Sequence, residues 1–349
     1  MSRPYEREVS TRTATWGMAD MTPIPSSHSE NLASPYPAED VGSWLRSIQH
    51  MNNRRTFLAT SVGALLAQGS VIAAEPRKNK LCGFTKHLQG LSFDQIADIA
   101  AGVGLDGIEA PVRPGGHVEP DQVADELPKL AEALKKRNLE LTILTSGINE
   151  VSAEQHTEKV LRTAAALGIK RFRMLYFKYD LSKPILPQIE EWRPKIKDLV
   201  QLCSEIGIQP LLQNHSGKDY FGAPIWDAYS IMKDFTPAQF SFAFDIYHAT
   251  VEGGMSWPLD LSLVGDHVGA AYFKDCKWIG RGKAEGVPLG EGQASPDFAK
   301  MLIKRKFTGP ISLHTEYMKG DVKAPAFIKA SVDAFNRDLG VLKEWMGWS

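Results

Sequence analysis

The sequence predicts a single-domain α/β protein, a (β/α)₈ barrel. Three observations carry that prediction. Short apolar runs alternate with helical patterns eight times between Leu81 and Trp345, and repeated βα units imply a parallel sheet covered by helices. Several runs place bulky residues on one face and small or polar residues on the other, as Phe240, Phe242 and Phe244 stand against Ser241, Ala243 and Asp245; successive strand side chains point to opposite faces. The length from Glu75 to Ser349 suits a barrel of roughly 250 residues. A doubly wound open sheet is the alternative. No Gly-x-Gly-x-x-Gly opens the first unit, so a dinucleotide fold has no support.

The chain has 349 residues, 43% apolar and 23% charged, with net charge −1. This is a soluble globular profile, and the near-zero charge argues against a nucleic-acid partner. Cys82, Cys203 and Cys276 are far apart, which excludes a disulfide framework or a Cys-x-x-Cys zinc site.

Residues 1–50 are rich in Ser, Thr, Pro and charge without periodicity, and read as disordered or as an over-extended start. Met51 opens a signal-like stretch. Arg54-Arg55-Thr56-Phe57-Leu58 is followed by a short apolar run, Val62–Ala67, and by small residues to Ala74. An Arg pair before such a run resembles a twin-arginine export signal, so residues 51–74 are expected to be a cleaved signal and residues 75–349 an exported, periplasmic barrel. The apolar run is too short for a stable membrane span.

The first strand is Leu81–Thr85, followed by a helix over Ser92–Val103 with Ser92 as N-cap. The second strand is Gly107–Ala110, with a helix over Leu127–Arg137. The third is Leu139–Thr145, with a helix over Ala153–Leu167. The fourth is Arg171–Tyr176, with a helix over Pro194–Ile206 that places Pro near its first turn. The fifth is Ile208–Gln213, with a helix over Trp226–Phe235. The sixth is Phe240–Asp245, with a short helix over Leu259–Val264. The seventh is Val268–Lys274, with a helix over Pro296–Arg305. The eighth is Ile311–Glu316, closed by a helix over Ala324–Trp345.

Barrel active sites lie at the C-terminal ends of the strands. There the sequence gathers Glu109 with Arg113 and His117, then Gln213-Asn214-His215, then Asp245 and His248 on the following turn, then Lys274, and finally His314 and Glu316. One buried charge at a strand end reads as a structural ion pair. Five strands ending this way point to a functional site, because buried charges are costly unless paired or coordinated. Lys283-Ala284-Glu285-Gly286 reads as a solvated loop able to act as a lid.

At these residues the chain resembles the xylose isomerase-like TIM-barrel superfamily of sugar phosphate isomerases and epimerases. Asp245-Ile246-Tyr247-His248 matches the family's Asp-x-x-His, Glu316 its eighth-strand Glu ligand, and Pro288-Leu289-Gly290-Glu291-Gly292 its loop after the seventh strand. Two departures stand out. Gln213 replaces a metal-binding Glu, and Tyr272 or Lys274 replaces a ligand His. The resemblance implies a divalent metal on Asp245, Glu316 and the Gln213 carbonyl, with Mg²⁺ or Mn²⁺ favoured over Zn²⁺ by the oxygen donors. It also implies proton abstraction next to a carbonyl of a small carbohydrate. Glu316 or Glu109 would be the base, Lys274 and His248 would complete the catalytic set, and Arg113, His117, Asn214, His215 and Trp257 would bind substrate. Trp226 and Trp278 are further stacking candidates. Two alternatives remain: a lyase or hydrolase of 3-keto-glycosides, and a non-catalytic sugar-binding protein.

Overall fold

The structure, a computed structural model, describes residues 78–348. The expected export signal and the segment before it lie outside the described residues. The barrel strands are β1 (Leu81–Phe84), β2 (Gly107–Val112), β3 (Glu140–Ser146), β4 (Arg171–Arg173), β5 (Gln209–Gln213), β6 (Ser241–Asp245) and β7 (Val268–Phe273). A hairpin, β8 (Asp275–Gly280) and β9 (Lys283–Val287), precedes the last barrel strand, β10 (Ile311–Leu313). The barrel closes in the order β1-β10-β7-β6-β5-β4-β3-β2, and its pairs are parallel.

The helices are α1 (Phe93–Val103), α2 (Val123–Lys135), α3 (Thr157–Ala166), α4 (Ile185–Ile206) and α5 (Trp226–Met232). Then follow α6 (Ile246–Gly253), α7 (Trp257–Val264), α8 (Asp297–Lys304) and α9 (Pro325–Met346). Ser92 caps α1 with a reciprocal Gln95 capping box, as its sequence signature predicts. No described helix is long and apolar enough to cross a membrane.

The two faces of each strand separate as the alternation predicts. Phe240, Phe242 and Phe244 join the large cluster between strands and helices. Ala243, Ala270 and Tyr272 fill the barrel interior with Cys82, Ile143 and Leu211. Asp245 is therefore delivered to the interior side at the strand's end.

Three elements differ from the sequence reading. Pro194 lies inside α4, which starts at Ile185, not at the helix's first turn. The buried Ile189, Trp192 and Ile196 on one face hold the helix together across it. His248 is on no turn: it belongs to α6, because the Asp245 carboxylate caps that helix by accepting from the His248 N–H at 3.3 Å. Lys283–Gly286 is not a loop but part of the exposed β8–β9 ribbon.

Candidate active site

At the C-terminal end of the strands lies a cavity of about 290 Å³. Its lining includes His215, Ser216, Tyr247, His248, Lys274 and Glu316. A larger cavity of about 580 Å³ opens at the other end, around Lys80, Glu140 and Arg171, but the convergent catalytic-type groups lie at the smaller one.

Lys274 is the hub of the mouth. It follows β7 directly, is 9% exposed, and sends Nζ to Asp245 Oδ2 at 3.1 Å and Glu316 Oε2 at 3.2 Å. Nζ also lies 2.8 Å from His248 Nε2. Burial lowers the Lys274 pKa, but Asp245 and then Glu316 outweigh it, so the amine stays charged. Burial and the same ammonium hold His248 well below the usual imidazole range. Neutral His248 therefore accepts from Lys274 through Nε2. Its Nδ1 meets the Ser216 backbone N–H at 3.1 Å and Ser216 Oγ at 2.7 Å.

Glu316 is the accessible carboxylate, with 28% of its side chain exposed. Burial favours its protonated form, yet Lys274 and His314 hold it well below the usual carboxylate range. Lys86 approaches its other oxygen at 3.3 Å.

The backbone holds Lys274 from the next residue. Asp275 accepts from Gly290 N at 3.0 Å, Gly292 N at 2.8 Å and Ala294 N at 2.7 Å. A side chain at Gly292 would collide with Asp275 and the Cys276 carbonyl, which explains the glycine in that loop.

Gln213 decides whether a divalent ion fits. Arg173 Nη1 donates to Gln213 Oε1 at 2.5 Å, and Tyr176 OH adds a second bond at 3.2 Å. A guanidinium only donates, so this end of the amide is the carbonyl oxygen. The NH₂ end then faces Asp245 Oδ2 at 2.6 Å. The carbonyl expected to bind metal is thus turned away and engaged. Asp245 and Glu316 already converge on an ammonium. Among the described residues no group of three His, Cys, Asp or Glu side chains is arranged to hold a metal. The expected Mg²⁺ or Mn²⁺ site on Gln213, Asp245 and Glu316 does not fit this arrangement.

The remaining candidates divide. Glu109 is fully buried and accepts from Thr145 at 2.6 Å, Ser312 at 2.7 Å, Tyr272 at 3.0 Å and His314 Nε2 at 3.1 Å. Burial raises its pKa, but His314, Arg173 and these bonds bring it down to about 2. Asn214 brackets the Asp245 backbone, donating to its carbonyl at 3.0 Å and accepting its N–H at 2.8 Å. His117 bonds Thr85 at 2.8 Å and has a buried, unpartnered Nδ1. Trp257 is buried edge-on against Phe298, outside the cavity lining. Trp226 is exposed and bonds Asp260, and Trp278 sits on the exposed ribbon. Arg113 follows β2, half-buried.

The aromatic wall of the mouth adds Tyr176 and Tyr220, which the sequence reading passed over, to His215 and His248. His215 packs between Tyr176, at a ring separation of 4.6 Å, and Tyr220, at 4.9 Å, with the His248 ring 3.9 Å away. Arg173 and Tyr176 come from the end of β4, one of the three strand ends outside the five that the sequence reading singled out. The rule used for the other strands would have found them.

Residues 97–344 match the family described as xylose isomerase-like TIM barrel. No curated protein matches the sequence. Among solved structures, D-psicose 3-epimerase from Clostridium cellulolyticum H10 aligns with TM-score 0.58 at 10% identity, covering 76% of this chain and 99% of that one. The 3-keto-D-glucoside 4-epimerase of E. coli aligns with TM-score 0.55 at 16% identity, covering 76% and 99%. The IOLI protein, solved with a zinc atom bound, aligns with TM-score 0.58 at 17% identity, covering 77% and 98%.

Proposed function

Since the chain belongs to the xylose isomerase-like TIM-barrel family, we propose that it is a sugar isomerase- or epimerase-like enzyme that removes a proton next to a carbonyl of a small carbohydrate. One observation carries this reading: a reachable carboxylate and a buried ammonium, Glu316 and Lys274, face the same cavity 3.2 Å apart. Glu316 takes the proton. Lys274 donates to the carbonyl oxygen as it becomes an oxyanion. Such preorganised donors commonly contribute about 10²–10³ in rate.

Lys274 also couples the two steps. Its charge is what holds Glu316 low. When the substrate oxygen takes over a Lys274 hydrogen bond, that restraint weakens and Glu316 becomes a stronger base. His248, held neutral, keeps the ammonium aimed. Tyr247 and Tyr317 line the cavity and are the tyrosine rings within reach of a sugar. The cavity sits at the small end of ligand pockets, roughly 300–1,000 Å³, which favours a monosaccharide.

A second reading draws on Gln213, which cannot act as a base. One base suits an isomerisation or a β-elimination better than a two-base epimerisation, so a lyase acting on a 3-keto-sugar is the runner-up.

The test is solvent exchange. A panel of ketoses and 3-keto-sugars is incubated in D₂O and followed by NMR. The expected result is deuterium at the carbon next to the carbonyl with the parent protein and none with Glu316→Gln. Isotope incorporation unchanged in that variant removes Glu316 as the base, and no exchange with any member of the panel leaves the sugar-binding alternative standing.

A further inference from the structure

The cavity of about 580 Å³ at the opposite end of the barrel has no part in the proposed reaction. It opens where β3 and β4 begin and α3 ends, beside Lys80 at the start of β1. Leu139, Leu141, Ile169 and Pro310 give it buried apolar walls. Its charged lining is unbalanced: Lys80, Lys135, Lys170 and Arg171 stand against Glu132 and Glu140. Lys80 already holds Glu140 at 3.4 Å. A second cavity of about 350 Å³ shares Arg171 and Thr308 with the first, and adds Arg305 and Lys306 against Asp266.

Two polar groups here lack partners. Among the described residues, five buried side-chain nitrogen or oxygen atoms make no hydrogen bond, and two of them, Arg171 Nε and Thr142 Oγ1, belong to residues lining this cavity. Thr142 is 7% exposed and has nothing firmer than the weakly polar Cys82 thiol beside it. It is the extra residue of β3, since Ile108 pairs with Leu141 and Glu109 with Ile143. Arg171 shares a face of β4 with Arg173, and their partners differ. Arg173 is engaged by Gln213 and Glu109, while the Arg171 Nε–H is buried and unanswered. Unpaired buried polar atoms are costly, and a guanidinium cannot shed its proton to escape that cost. A bound oxyanion would satisfy both groups.

We propose that this end of the barrel is a second ligand site, which takes a small organic anion, carboxylate or phosphate, with an apolar body. Arg171 binds the oxyanion through its planar fork, the Thr142 hydroxyl donates to it, and the exposed Lys135 and Lys170 draw it in. The body lies against the apolar wall that Leu139, Leu141, Ile169 and Pro310 provide. The volume is that of a small-molecule pocket, roughly 300–1,000 Å³. Lys274 and Glu316 stand at the other ends of the strands, so the proposal does not depend on the reaction assigned to them.

Calorimetry with benzoate, phenyl phosphate and neutral benzyl alcohol tests the proposal. The parent protein should bind one of the two anions at least about tenfold more tightly than the alcohol, as charge-assisted hydrogen bonds require, and which one tells carboxylate from phosphate. Arg171→Gln should abolish that preference, while Arg171→Lys should keep part of it, since only the second retains charge. Thr142→Val should weaken binding of the preferred anion without lowering the melting temperature, because the hydroxyl it removes has no firm partner to lose. Glu316→Gln, at the mouth, should bind the anion as the parent does, so a failure of the catalytic assignment and a failure of this one are read separately. Equal affinity for all three probes, a preference that survives in Arg171→Gln or disappears in Glu316→Gln, or anion binding unchanged in Thr142→Val overturns the proposal.

Discussion

Glu109 and Glu316 stand in two layers of one barrel, joined by a single imidazole. His314 Nε2 lies 3.1 Å from Glu109, and its Nδ1 lies 3.5 Å from Glu316. In the inner layer, Glu109 accepts from four side chains, which uses the whole acceptor capacity of a carboxylate. In the outer layer, Glu316 keeps part of its surface open and meets cations at its edges. The same residue type is thereby saturated with donors in one place and left partly open in the other. What separates them is how many donors are already committed.

The sharpest way to break this comparison is to remove the ammonium of the outer layer. Lys274→Met should lower turnover by about 10²–10³. It also leaves Asp245 buried and uncompensated, which costs stability. Adding Asp245→Asn should restore the melting temperature while turnover stays low. Dialysis against a chelator should leave the parent protein's activity unchanged, because the cation in this layer is the protein's own. Wild-type turnover in the Lys274 variant, or loss of activity to the chelator, would collapse the outer layer's assigned role.

The inner layer should fail differently. Glu109→Gln leaves His314 and Arg173 without their buried counter-charge, an effect of about 3–5 kcal/mol for a broken buried pair. Denaturant unfolding should report that loss, while turnover per folded molecule falls less than about tenfold. A folded Glu109 variant as inactive as Lys274→Met would show that the inner carboxylate takes part in the chemistry.

Acid sharpens the comparison with the smallest effect. Burial draws His87 and His117 down to about 4. Unfolded histidine titrates near 6.5, so between those values the unfolded chain takes up protons that the folded one refuses. Stability is therefore present above pH 6.5 and is lost as pH falls, by about 1 kcal/mol per imidazole near pH 5.5. Glu109, depressed to about 2, adds a second loss below roughly pH 4.3. Thermal melts should show two limbs. His87→Gln should flatten the upper limb and Glu109→Gln the lower.

The barrel was legible because its strands obey period two. Phe240–Asp245 alone states which side packs under helices and which faces the interior. Asp245, His248, Lys274 and Glu316 were legible as strand-end residues. The ribbon was not, since β8 and β9 are exposed over much of their length and bury no continuous apolar face. Nor was α6, whose cap is a strand residue, Asp245, serving two elements at once. The orientation of Gln213 depends on Arg173, forty positions away, and no local pattern encodes it. Trp257 shows the converse: an indole near a site in sequence packs into the core because α7 turns it toward Phe298.

Asp275 has a further consequence. By gathering the N–H groups of Gly290, Gly292 and Ala294, it pins the far side of the 276–289 excursion beside its near side. The ends of the excursion therefore meet whatever the length of its tip, and closing a longer loop costs only about 0.6 kcal/mol per doubling. Its tip, with Trp278 and Ile279 in solvent, can be lengthened, trimmed or exchanged while Lys274 stays in register. The lysine at the hub of the mouth and the exposed tip of the rim are thus joined through one aspartate.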